Sequence, residues 1–337
     1  MPEARNEEGR TGEFELIARY FAPLASKEGA FGLLDDAAML RVSPGEDLVL
    51  TKDSLAAGVH FFADDRPDFI ARKALRVNLS DLAAKGAEPR AYLLSLALPG
   101  NWSEQWLEAF AKGLAEDQKR YKIDLYGGDT LRSPDGLVIS VTAIGSVPTD
   151  QMVTRLGGKS GDALYVSGTI GDAALGLSVH GDVATTADWP LSEDHRRHLS
   201  ERYLLPQPRL ELAPSLRAYA NAAMDISDGL LGDLAKLCRA SGLGGIVNVD
   251  DVPHSDPVCA MIGHGPQFRS IALNGGDDYE ILCSVPRDRT NRFEAEARSV
   301  GIAVTQIGEL TKFARGVSVI DNGGETLPVP GSSFEHF

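Results

Sequence analysis

FIARKALRVNLSDLAAKGAEPRAYLLSLAL, residues 69–98, sets the architecture. Its first part, to Ala87, reads as one long helix, and YLLSLAL (92–98) is a short apolar run of the kind that forms a buried strand. Working outward, LVL (48–50) reads as a strand before it. SEQWLEAFAKGLAEDQKRY follows as a helix that Ser103 can cap, and LVISVTAIGSV (137–147) is a strand dense in β-branched residues. EFELIARYF, from Glu13, has helical spacing. The glycine-rich RLGGKSGD (155–162) marks a boundary, beyond which ALYVSG, helices between about 193 and 220, SDGLLGDLAKLCRA, GGIVNV, YEILCSV and FEAEARSV resume the alternation. Strands and helices alternate in both halves, so the expected class is α/β, with a flexible tail at 1–12, an N-terminal domain at 13–150 and a C-terminal domain at 151–337.

Composition narrows the function. The net charge of −15 over 337 residues argues against nucleic acid as a partner, because phosphate-backbone affinity comes from clustered cations. No apolar run nears the ~18 residues of a membrane span, and MPEARNEEGR lacks the features of a signal peptide, so the expectation is a cytoplasmic protein. Cys238, Cys259 and Cys283 form no C-x-x-C and are expected to be buried free thiols.

The acids carry the chemistry. Asp recurs beside Gly or Ala in LLDDAA (33–38), TKDS (51–54), LSDLAAKGA (79–87), YGGDT (126–130), MDISDGLLGD (224–233) and NGGDDYE (274–280), where elements are expected to begin or end. One such motif is ordinarily a cap or a turn. Several together supply the converging hard oxygens that Mg²⁺ takes, with water and phosphate filling its other positions. Two carboxylates ~4 Å apart repel by about 4 kcal/mol at an effective dielectric of ~20, so a converged cluster requires its cations. Phosphoryl transfer needs little beyond positioning and charge neutralisation, and G-x-S-x-G and H-E-x-x-H are both absent. GGKS (157–160) is no P-loop, because Val153 stands where its first glycine belongs. His195 and His198 read as a surface pair, and Trp102, Trp106 and Phe110 as a packing face.

In order and spacing, GEFELIARYF, DDAA, TKDSLAAGVHF, KALRVNLSDLAAKGAEP, YGGDT, TRLGGKSGD, DISDGLLGDL, NGGDDYEI and FEHF resemble the thiamine-monophosphate kinase family, within the superfamily typified by aminoimidazole ribonucleotide synthetase. The resemblance runs from about Gly12 to Phe337. It implies a two-domain fold whose N-terminal sheet forms a barrel with a second subunit, hence a homodimer. It also implies direct in-line transfer of the ATP γ-phosphate to thiamine monophosphate, with several Mg²⁺ ions and no phosphoenzyme.

By the same resemblance, Asp36, Thr51, Asp53, Asp81, Asp129, Asp225 and Asp228 match metal ligands. Gly128, Asp129, Arg155 and Ser227 match the ATP site, and His60, Asp277 and Phe334 match contacts to the thiamine substrate. Three positions depart from the family pattern. Leu34 replaces a glycine before the two Asp, Lys52 replaces a small hydroxyl residue, and Asp277 replaces a glutamate. If 51–53 is a strand, Lys52 points away from the face of Thr51 and Asp53. The rival readings are a relative acting on another acceptor and a non-catalytic Mg-nucleotide binder. The hydrogenase-maturation and selenophosphate-synthetase types are disfavoured by the closing FEHF and by the lack of a cysteine before Cys238.

Overall fold

A computed structural model describes residues 12–313 and 316–328. The chain divides into two units. One holds the described residues up to Leu82 together with Glu88–Thr149; the other holds Ala83–Ala87 together with Asp150 onward. The short piece 83–87 thus belongs with residues far along the chain. There Lys85 Nζ donates to the Ala223 carbonyl (2.8 Å), and Val153 N–H to the Lys85 carbonyl (3.1 Å).

In the first unit α1 (Glu13–Leu16) leads into further helical turns, and β1 (Glu46–Ala56), α2 (Pro67–Ala84), β2 (Glu88–Pro99), α3 (Glu104–Tyr121), β3 (Asp124–Ser133) and β4 (Val138–Pro148) follow. The sheet order is β1-β4-β2-β3, antiparallel except for β2 and β3, which run parallel across the α3 crossover. Ser103 caps α3 through the Trp106 N–H (3.1 Å). Strand alternation sends Val49, Leu55, Ile139, Val141, Leu94 and Leu96 to one buried face. The other face leaves Leu48, Leu50, Leu93, Leu131 and Val138 exposed, Leu50 to 65%. Helix α2 is buried nearly all round, and its Arg76 pairs with Asp117 of α3 at 2.6 Å. Trp106 stacks on the buried Phe110, as a packing face requires.

The second unit contains β5 (Ala163–Ser167), α4 (Asp172–Gly181), α5 (Glu193–Leu204), α6 (Ala213–Tyr219), β6 (Ala222–Asp225), α7 (Leu230–Ser241), β7 (Gly244–Asn248), α8 (Asp256–His264), α9 (Gln267–Asn274), β8 (Ile281–Val285), α10 (Thr290–Ser299), β9 (Val304–Thr311), β10 (Gly316–Ile320) and β11 (Thr326–Leu327). Its sheet runs β11-β10-β7-β9-β5-β8-β6. In β5, Leu164 and Val166 pack with Leu234 and Leu237 of α7, while Ala163 and Tyr165 pack with Phe293 and Ala297 of α10. Helices therefore cover both faces, which makes the strands apolar throughout. Cys238 and Cys283 are buried, but Cys259 is exposed on α8, contrary to the expectation for it.

Candidate functional site

The TKDS and YGGDT aspartates lie inside strands rather than at element ends: Thr51 and Asp53 are mid-β1, and Asp129 is mid-β3. Thr51 and Asp53 are half-buried and Lys52 is exposed, as strand alternation dictates. Their face meets α2, where Asn78 and Asp81 stand three residues apart on one side of the helix. The Thr51 hydroxyl donates to Asp81 Oδ2, and Asn78 Oδ1 accepts the Asp53 N–H (3.0 Å). Lys52 pairs in register with Thr142 on the opposite face, so its charge stays clear of these oxygens.

Asp129 belongs to a different row. It is in register with Ser95, which faces Ser140, which faces Ser54; the Ser54 and Ser140 hydroxyls bond at 2.9 Å. That row shares its face with Lys52. Asp129 and Asp36 line one cavity of about 710 Å³ together with Asp35, Gly127, Gly128, Ser95, Ser140 and Thr142, and its apolar wall includes Ile17, Phe21 and Leu93. The first-unit acids thus come together in two groups, Thr51 and Asp53 with Asp81, and Asp36 with Asp129. Among the described residues no three or more His, Cys, Asp or Glu gather closely enough to hold a metal ion by themselves. Leu34 has φ −101°, open to any residue, and its side chain is 91% exposed, so the backbone before the two Asp does not require glycine. His60 Nδ1 accepts the Ala56 N–H (3.1 Å), so the neutral ring carries its proton on Nε2.

In the second unit, Asp225 ends β6 and the chain turns through Ser227 and Asp228 into α7. One oxygen of the buried Asp233 accepts the N–H groups of Ser227 (3.0 Å) and Asp228 (2.9 Å). Its other oxygen accepts from Lys236 (2.8 Å), whose ammonium also meets Asp228. Burial raises the Asp233 carboxyl against the pull of Lys236. Burial also opposes the Lys236 charge, but the two carboxylates outweigh it and raise Lys236. Asp277 lies alongside the same turn, its N–H donating to the Ser227 carbonyl (2.9 Å). At φ +73° it is in the left-handed region, which Asp tolerates better than Glu because its short side chain bonds locally. The departure at this position is therefore conformationally apt. Arg155 is exposed, and its carbonyl accepts from Ser241 at the end of α7 (2.9 Å). Phe334 lies outside the described residues.

Sequence reasoning passed over the groups behind these residues. Asp233 and Lys236 are two, with an i, i+3 acid–base spacing as their only signal. His198 is another: it lies 3.3 Å from the buried Asp172 rather than on a bare surface. Burial works to raise Asp172, but the His198 ring beside it and hydrogen bonds from Ser255 and Thr169 prevail and hold its carboxyl below the ordinary value. The nearness of Asp172 in turn raises His198. Burial pushes the Asp278 carboxyl up to about 8, against two N–H groups that bind it.

Residues 34–147 match the family model of the AIR synthase related protein, N-terminal domain, and residues 159–321 match that of the C-terminal domain. The chain is 42% identical over 320 residues to the thiamine-monophosphate kinase of Caulobacter vibrioides, covering 94% of this chain and 88% of the relative. It is 37% identical over 328 residues to that of Escherichia coli K12, covering 97% and 98%. The crystal structure of thiamine-monophosphate kinase from Stenotrophomonas maltophilia K279a is similar with TM-score 0.78 and 40% identity, over 88% of this chain and 91% of that one. A structure described as AaThiL complexed with AMPPCP and TMP is similar with TM-score 0.75 and 31% identity, over 92% and 97%.

Proposed function

The chain belongs to the AIR synthase related family and, within it, to the thiamine-monophosphate kinases, and from that premise we propose how its residues divide the work. It is an ATP-dependent kinase that phosphorylates thiamine monophosphate to thiamine diphosphate. The observation that carries this conclusion is the 42% identity, which extends over 94% of the chain and so takes in the site-bearing segments of both units.

In our reading Asp36, Thr51, Asp53, Asp81, Asp129, Asp225 and Asp228 hold several Mg²⁺ ions. Their donors are all oxygens, which is the chemistry Mg²⁺ selects, and the Thr51–Asp81 contact with Asp53 on the same face offers adjacent oxygens from two elements. Bound Mg²⁺ neutralises the phosphate oxygens and favours in-line displacement. Among the described residues no three of these acids stand closely enough to hold a metal ion by themselves, so water and phosphate oxygens would supply the remaining donors.

Gly128, Asp129, Arg155 and Ser227 take the nucleotide. The planar Arg155 guanidinium supplies directional hydrogen bonds to phosphate. Gly128 is required by space: a Cβ there would fall 1.8 Å from the Leu94 carbonyl oxygen. His60, with its proton on Nε2, donates to the thiamine substrate; Asp277 accepts from it or attracts its cationic ring, and Phe334 stacks on it. Transfer is direct, without a phosphoenzyme. The exposed apolar residues Leu48, Leu50, Leu93 and Leu131 make one sheet face a fit surface for a second copy, as a homodimer with an intersubunit barrel requires. Among the described residues no helix is long and apolar enough to cross a membrane, and we place the enzyme in the cytoplasm with its ATP.

The test is product formation. Purified protein with ATP, Mg²⁺ and thiamine monophosphate is expected to yield thiamine diphosphate and ADP in equal amounts. ADP formed only with another acceptor, or nucleotide binding without turnover, would overturn the reading.

A further inference from the structure

The stretch Gly275–Glu280 of the second unit is held in a conformation that Tyr279 disfavours. Asp277 has φ +73° and Tyr279 φ +50°, and for a bulky side chain such as Tyr279 the left-handed region is a genuine outlier. Strain of this kind persists where surrounding contacts over-determine the backbone. Here they do. Asp278 is buried, and its two oxygens accept the N–H groups of Gly171 (2.7 Å) and Ala173 (3.1 Å) at the start of α4. Glu280, fully buried, accepts from Arg202 Nη2 (2.7 Å), from Arg209 through Nε (2.7 Å) and Nη2, and from the Ser167 hydroxyl (2.6 Å).

Main-chain bonds tie the same stretch to the metal-ligand turn. Asp277 N–H donates to Ser227 O, Tyr279 N–H to Ile226 O (2.8 Å), and Ile226 N–H to Glu280 O (2.8 Å). There is no slack around it: a Cβ on Gly276 would fall 2.2 Å from the Ser227 carbonyl oxygen, and one on Gly168 would fall 2.3 Å from Glu280 Oε1.

We propose that Asp278 and Glu280 are positioning residues for the acceptor substrate. They clamp the backbone on either side of Tyr279 and thereby fix Asp277 beside Ser227 and Asp228. Alternate residues of DDYE thus divide the labour: Asp277 and Tyr279 are half-buried at the turn, while Asp278 and Glu280 anchor them from within. The proposal rests on the reading that Asp277 contacts thiamine monophosphate. The consequence falls on one substrate, because the residue the clamp alone places is the acceptor contact Asp277, whereas the nucleotide-site turn at Ser227 and Asp228 is held independently by Asp233, which accepts both N–H groups.

The experiment measures KM for thiamine monophosphate and for MgATP separately, with kcat, on wild type, D277A, D278N and S167A. D277A is expected to raise KM for thiamine monophosphate at least tenfold. D278N places an NH₂ against one of the α4 N–H donors and is expected to raise the same KM at least fivefold, with KM for MgATP within twofold and kcat within threefold. A purely structural role would instead lower kcat through a smaller active fraction and leave KM unmoved. If D278N fails to fold by circular dichroism, S167A decides, since it removes only the bond to Glu280 and the acceptor for the Ile281 N–H (2.8 Å). Its expected rise is about threefold, and no rise overturns the proposal. An unchanged KM in folded D278N beside a raised one in D277A also overturns it, whereas an unchanged KM in D277A refutes the Asp277 reading itself and the proposal with it.

Discussion

The acids of the first unit and those of the second are held in different ways. Thr51, Asp53 and Asp129 sit within strands, where the ladder sets their faces and Asp81 and Asn78 of α2 bond to Thr51 and to the Asp53 N–H, and Asp36 and Asp129 are exposed on their cavity. Asp228 and Asp277 sit on turns with a second tier of charge behind them: Asp233 and Lys236 for one, Asp278, Glu280 and two arginines for the other. A strand supplies most of its geometry through its ladder. A turn must be braced, and its braces are buried polar and charged groups that cost much to leave unpaired. The first unit should therefore lose activity without losing stability when an acid is changed, and the second should lose both.

The sharpest break of that contrast is Asp81→Asn. It removes a ligand charge while keeping shape, and turnover is expected to fall at least about 10²–10³-fold, the scale of one lost electrostatic partner in a transition state, with the melting temperature little changed. Wild-type rates would contradict the ligand assignment. Asp233→Ala should show the other behaviour, because it strips the acceptor for two N–H groups and strands Lys236. A loss of about 3 kcal/mol in a denaturant titration is expected, together with lower activity.

A smaller effect distinguishes the bracing of α4. The charged His198–Asp172 pair stabilises the fold fully below the ordinary histidine value of 6.5 and fades as pH rises through the raised value in the folded chain. On the acid side it persists until pH falls through the lowered value of Asp172, under 3.8. His198 is partly exposed, so His198→Gln should lower the melting temperature by only about 1–2 °C near pH 5–6, and by nothing measurable near pH 9. A difference that grew with pH would refute the pairing. Smallest of all, Lys52→Ala should leave kcat and both KM values within twofold, since Lys52 shares no face with Thr51 and Asp53 and does not line the cavity of Asp36 and Asp129, although it stands on that side of the sheet. A large change would mean that the Lys52 charge reaches that cavity.

The long elements were legible because their signals are local. Helices α2 and α3, strands β2 and β4 and the Ser103 cap follow from periodicity and residue type within one window. Helices α4, α8 and α9 gave no such signal: α4, DAALGLSVHG, is short and apolar almost all round because it is buried, and the other two are clipped by proline and glycine. The site acids themselves stand out as Asp beside Gly. Their braces do not, since Arg202 and Glu280 are 78 residues apart and Asp278 and Gly171 are 107 apart. Nor does sequence reveal sheet rows, so it does not show that Asp129 lines a cavity with Asp36 instead of sharing a face with Asp53.

The most direct measurement is the initial rate of thiamine diphosphate formation against free Mg²⁺, at saturating ATP and thiamine monophosphate, for wild type, Asp81→Asn and Asp228→Asn. If acids from both units hold catalytic Mg²⁺, the wild-type rate keeps rising after all ATP is complexed, and each variant needs more Mg²⁺ or stays near zero. A wild-type rate that saturates once MgATP has formed, with both variants superimposing on it, would contradict the account.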